Sequence, residues 1–112
     1  MDISTQSLEN NITLIRLNGR LDARASAEVR ESLKNLLEQE QLRIVVDLQQ
    51  VPFIDSSGLA ALVSGLRLAR EKGGNIALSA AQPQAQIVFR LTMLDRVFSI
   101  LPTVAEAQKS FS

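Results

Sequence analysis

Asp55-Ser56-Ser57-Gly58 places a carboxylate, two hydroxyls and a glycine where an apolar run ends and an Ala/Leu helix pattern begins, in Val51 to Leu62, VPFIDSSGLAAL. Such residues serve three kinds of chemistry. A serine at a sharp strand-to-helix turn is the nucleophile of hydrolases with a G-x-S-x-G elbow. Carboxylates gathered from loop ends bind Mg²⁺. An exposed serine at a helix start can carry a phosphate, because the free N–H groups there tolerate its charge. A fourth role is structural: Asp and Ser cap helices by accepting an orphan N–H, and Gly58 then lets the helix start pack closely on its neighbours.

Elimination narrows this set. Ile54 stands where the elbow has its first glycine, and the chain has no histidine to take the serine proton. Lys72, the nearest lysine, lies about four helical turns away. The expectation is therefore a non-enzyme, with no catalytic residue. Asp22, Asp47 and Asp55 are the carboxylates that could meet around Mg²⁺, but caps and loop-end charges account for them more simply. EKGGN lacks the glycine frame and Lys-Ser/Thr ending of a phosphate-binding loop. Without cysteine there is neither a disulfide framework nor a thiol nucleophile. No cofactor, metal or small-molecule substrate is expected.

Composition restricts the partners. The 112 residues suit one domain, taken as 1–112, and 46% hydrophobic with 21% charged residues is ordinary for a globular chain. Twelve basic and twelve acidic residues cancel, which disfavours nucleic acid, whose binding rests on a surplus of Lys and Arg. It also disfavours a basic membrane-surface helix. No apolar run approaches the roughly 18 residues of a membrane span. No signal pattern follows Met1, so the expectation is a soluble cytoplasmic protein without direct membrane insertion.

The elements that must position the loop follow from periodicity. Residues 2–17 read as a β-hairpin turning at Glu9-Asn10-Asn11, its first strand polar enough for a sheet edge. Asp22 is a cap for a helix over 24–40, with Val29, Leu33, Leu36 and Leu37 on one face. LRIVVDL at 42–48 suits a buried central strand. A second helix runs from about Ser57 to Lys72 with Leu59, Leu62, Val63 and Leu66 as its core stripe, ended at Gly73-Gly74. NIALSA at 75–80 is the next strand. Pro83 opens a third helix with Ile87, Val88, Leu91 and Leu94 as its apolar stripe. VFSI at 97–100 reads as a last strand. Thr103 to Glu106 has the capping-box pattern, before a short helix with Val104, Ala107 and Phe111 on one side. The order β-β-α-β-α-β-α-β-α predicts an α/β domain: a mixed, mostly parallel sheet of four to five strands with about four helices.

A phosphate at the Asp55–Gly58 junction would change how the surface meets a partner without unfolding the domain, since Asp55 and Asp22 already make the spot acidic. Ala61, Ser64, Gly65 and Leu68 lie at i, i+3, i+4 and i+7, off the main stripe of the second helix. They suit either tight packing against a neighbouring helix or a shallow docking face that begins at the serines.

At these residues the chain resembles a STAS domain, specifically a stand-alone anti-sigma factor antagonist. LNGRLD at 17–22, RIVVDLQQVPFIDSSGLAAL at 43–62 and PQAQIVFRLTMLDRVFSI at 83–100 carry the resemblance. The element order fits essentially the whole chain. The resemblance implies partner switching. The unphosphorylated antagonist binds an anti-sigma factor that is also a serine kinase, and a sigma factor is released. ATP-dependent phosphorylation ends that binding, and a PP2C-type phosphatase resets it. The modified serine follows the aspartate, which makes it Ser56, with Asp22, Asp55, Ser56, Ser57, Gly58, Leu59 and Ala61 as the partner-binding set. LAALVSG, where some antagonists carry glycines, implies a docking face that differs in detail. STAS domains also serve in lipid-transport ABC assemblies and stress-signalling scaffolds, so the alternative is a constitutive subunit without a phospho-switch, its serines acting only as caps.

Overall fold

The computed structural model describes residues 1–111. Two strands, β1 (Asp2–Ser7) and β2 (Ile12–Asn18), form the antiparallel hairpin. A 3₁₀ turn over Glu9–Asn11 reverses the chain, with Asn10 and Asn11 at φ 61 and 60, the left-handed region that asparagine tolerates better than other side chains. Then follow α1 (Ala23–Glu38), β3 (Arg43–Gln50), α2 (Ser56–Glu71), β4 (Asn75–Ser79), α3 (Pro83–Leu91), a 3₁₀ turn (Leu94–Arg96), β5 (Ser99–Leu101) and α4 (Val104–Lys109). The strands lie in the order β1-β2-β3-β4-β5, parallel from β2 onward. This is a single α/β domain with a five-stranded mixed sheet, as the element order predicts.

Burial follows the pattern of side chains. Ile44 to Leu48 are all buried in β3, because it lies between two strands and under helices on both faces. Ile44, Val46 and Leu48 join the main core with Val29, Leu33 and Leu37 of α1 and Leu62 and Leu66 of α2. Val45 points the other way, with Leu14, Ala77 and Ala107, where Val104 and Phe111 of the C-terminal segment close the smaller cluster. β1, by contrast, is almost wholly exposed, as a polar edge strand must be.

Two assignments shift. The last strand is Ser99–Leu101 rather than 97–100, because a 3₁₀ turn over Leu94–Arg96 uses up the residues before it. More consequentially, α3 does not bury Ile87 and Leu91. Ala85 and Phe89 are its buried residues, Val88 is partly buried, and Leu94 packs on the core from the following turn. Ile87 is 50% exposed and Leu91 79%. A nine-residue helix with apolar side chains at 85, 87, 88, 89 and 91 offers two overlapping stripes. Phe89, with the most apolar surface to remove from water, decides between them. Leu91→Ser is accordingly expected to change stability by less than about 0.5 kcal/mol, as surface substitutions do, measured by urea titration.

Candidate functional site

The site is built where two chain crossings meet at the C-terminal end of the parallel strands. Leu21 and Ile54 form an isolated parallel bridge. The Leu21 N–H donates to Phe53 O at 2.9 Å, and the Asp55 N–H donates to Leu21 O at 3.2 Å. The bridge sets two helix starts side by side, each opened by an aspartate. Asp22 caps α1 by accepting the Arg24 N–H at 3.0 Å. Asp55 caps α2 by accepting the Gly58 N–H at 3.0 Å. Both predicted caps are thus present, and tertiary contact makes them neighbours.

Gly58 is what lets the crossings approach. A Cβ built on it would collide with the Leu21 carbonyl oxygen and lie 2.7 Å from Leu21 Cγ. Residue 58 therefore has to be glycine for a steric reason, without any need for unusual dihedral angles.

A third element clamps the loop. The Gln84 side chain of α3 accepts the Ile54 N–H at 2.9 Å and donates to Ile54 O at 3.0 Å, pairing with it as a neighbouring strand would. Gln82 adds a bond to Gln49 O at 2.7 Å. Gln84 was not legible as a site residue, because a long-range side-chain clamp has no local spacing to betray it. Ile54 is 1% exposed, so losing the clamp strands two buried backbone groups. Gln84→Ala and the near-isosteric Gln84→Met are each expected to cost about 2–3 kcal/mol. Equal losses in chemical denaturation would assign the cost to the hydrogen bonds rather than to packing.

The predicted partner-binding residues divide by depth. Ser56, the first residue of α2, is exposed; Asp22, Asp55 and Ser57 are half-buried; Gly58 and Leu59 are buried. Ala61 is 0% exposed, which corrects its expected place on a docking face. It lies one turn before Gly65, on the side of α2 that packs against α1, where a Cβ on Gly65 would lie 2.6 Å from Leu33 Cδ1. The small residues Ala61 and Gly65 therefore serve close helix packing, and only Ser64 of that stripe is exposed.

The first N–H groups of α2 have no partner within the helix, and one of them is taken by Asp55. Around the loop, Arg20 Nε lies 3.9 Å from Asp22 Oδ2, and the Arg20 guanidinium sits 4.2 Å over the Phe53 ring. The third carboxylate considered for a metal stands apart. Asp47 accepts the Gln49 N–H at 3.0 Å and faces Arg16 Nε at 3.6 Å, on the sheet face away from α1 and α2. Among the described residues no cluster of three or more metal-ligating side chains is present. No helix among them is long and apolar enough to cross a membrane.

Relatives share this architecture. An anti-sigma F factor antagonist from Paenibacillus polymyxa is 33% identical over 92 residues, 81% of this chain and 76% of its own. A solved structure from Thermotoga maritima superposes with a TM-score of 0.91 at 24% identity, covering 96% of this chain and 92% of that one. The phosphorylated form of the Bacillus cell fate determinant SpoIIAA superposes with a TM-score of 0.77 at 22% identity, covering 99% of this chain and 100% of that one. The model of the STAS domain matches residues 4–107, from the edge strand to the closing helix. The five-stranded sheet, the capped α2 junction and this match lead to one assignment: the chain belongs to the STAS domain family.

Proposed function

We propose that this protein is an anti-sigma factor antagonist that binds an anti-sigma factor serine kinase when unphosphorylated and is released by phosphorylation of Ser56. The observation that carries the reading is the position of Ser56. It is exposed at the first turn of α2, directly after the capping Asp55, while Ser57 is half-buried. A kinase reaches Ser56 without opening the domain. The phosphate then sits at a helix N-terminus, whose free N–H groups and dipole favour negative charge.

The relatives support the same reading. The Paenibacillus polymyxa protein is named an antagonist of an anti-sigma factor, and SpoIIAA is known in unphosphorylated and phosphorylated forms. The partner surface then centres on Ser56 with Asp22, Asp55 and Ser57, while Gly58 and Leu59 support it from beneath. The nucleotide belongs to the kinase, and a PP2C-type phosphatase reverses the modification. The chain itself acts as a binding module in the cytoplasm rather than as an enzyme.

The test is phosphopeptide mass spectrometry of the protein after incubation with its cognate kinase and ATP. A single phosphoryl group on Ser56 is expected. Modification of Ser57 would overturn the assignment of the residue. No modification, with a stable complex indifferent to ATP, would instead mark a constitutive subunit.

A further inference from the structure

We propose that α3, the Leu94–Arg96 turn and the C-terminal half of α2 form a second docking surface, which takes an acidic amphipathic helix of a partner protein. It does not depend on Ser56 being modified. Val63, the groove residue nearest the loop, lies about two helical turns along α2 from Ser56, about 10 Å at 1.5 Å per residue.

The first observation is where the exposed apolar side chains fall. The large exposed hydrophobics among the described residues are Ile87, Leu91, Met93 and Val97, at 50%, 79%, 60% and 40% exposure. All lie within one 11-residue stretch. Single exposed apolar residues are ordinary on a protein surface, but a cluster marks an interaction site. The surface is also shaped. Val97 faces a groove of about 480 Å³ on α2 lined by Val63, Leu66, Arg67, Arg70 and Glu71. Arg70 Nη2 donates to Val97 O at 2.8 Å, so the two walls of the groove are tied together.

The second observation is charge. Arg67 and Arg70 line the groove beside Glu71, and Arg90, Asp95 and Arg96 are exposed within the same 87–97 stretch as the apolar residues. None of the six forms an ion pair among the described residues. In a chain with no net charge, this is a local surplus of two positive charges that awaits a complement.

The complement selects the occupant. A second copy on the same face would bring arginine against arginine across a two-fold axis. An anionic bilayer is recruited by uncompensated clusters of four to eight cations, and here two acids offset four arginines. A helix with an apolar stripe flanked by carboxylates meets both demands, because its stripe fills a groove as helix-in-groove recognition requires and its carboxylates face the arginines.

The test uses the full chain and a fluorescein-labelled synthetic helix with Leu at i, i+3, i+4 and i+7 and Glu on both flanks, beside a twin carrying Lys for Glu. In fluorescence anisotropy the acidic peptide is expected to bind at least about 10-fold tighter than the twin. Leu91→Ser and Arg67→Glu should each weaken it about 10-fold while leaving the thermal midpoint unchanged. Ser56→Asp should leave peptide binding as it is, which separates this surface from the switch. Equal binding of the two peptides, or no effect of the Leu91 and Arg67 variants, would overturn the proposal. So would co-sedimentation with phosphatidylglycerol vesicles that Leu91→Ser abolishes, which would make a bilayer the occupant. Dimerisation in sedimentation velocity that Leu91→Ser abolishes would likewise make it a second copy.

Discussion

Ser56→Asp is expected to weaken binding to the anti-sigma partner by at least about 100-fold, while Ser56→Ala keeps full affinity in the presence of ATP. Moving a partner from 99:1 bound to 1:99 takes about 5.5 kcal/mol of differential affinity. A phosphate of about −1.5 to −2 charges, forced against a partner in a desolvated contact, supplies that scale of energy. One carboxylate carries less charge and fewer acceptor oxygens, so the Asp variant sets a lower bound of about 2.7 kcal/mol, the equivalent of 100-fold. The domain itself should be untroubled. Ser56 is exposed at the start of α2, where a negative charge is stabilising by about 0.3–1 kcal/mol. Ser56→Asp should therefore melt no lower than wild type, which separates a switched surface from a damaged fold. Calorimetric titration with the kinase reads the affinity and differential scanning calorimetry the stability. Equal affinity of the Asp and Ala variants would remove the electrostatic switch.

Gly58→Ala should be the more damaging substitution to the fold. The added methyl meets the Leu21 carbonyl oxygen, a backbone atom fixed by its own bond from the Asp55 N–H. It cannot rotate away as a side chain would. We expect a loss of at least about 3 kcal/mol, a fall in melting temperature on the order of 10 °C for a domain of this size. Gly65→Ala is the internal comparison, because its nearest obstacle is the Cδ1 end of Leu33, which a rotamer change can move. It should cost clearly less, about 1–2 kcal/mol. If the two variants melt together, the close approach of Leu21 and α2 is not the constraint at residue 58. Because the same contact aligns Asp22 with Asp55, Gly58→Ala should also weaken the partner complex, whereas Gly65→Ala should not.

Burial separates the proposed site residues into those a partner could touch and those that lie beneath. Ser56 meets solvent, while Gly58, Leu59 and Ala61 hold α2 in place from below. Proximity in the sequence does not separate these roles, because residues two to five positions apart on a helix range from the same face to the opposite one.

The residues by themselves determined what depends on local geometry. The caps at Asp22, Asp55 and Thr103, the Asn10-Asn11 reversal and the glycine stop at Gly73, with φ 84, follow from short-range hydrogen bonding and dihedral preference. The long stripes of α1 and α2 were legible because sixteen residues give a 3.6-residue period room to repeat. The proposal that Ser56 is the modified serine rests on the surrounding FIDSSGL loop, its family likeness and its exposure at the start of α2. Tertiary structure alone decided the rest, since contacts between distant segments leave no spacing to read. It chose Phe89 over Ile87 and Leu91 for the core, turned Ala61 toward α1, and set Gln84 as a clamp on Ile54. It also joined Leu21 to Ile54, so that two separate helix caps, 33 residues apart in the chain, became neighbours at the start of α2.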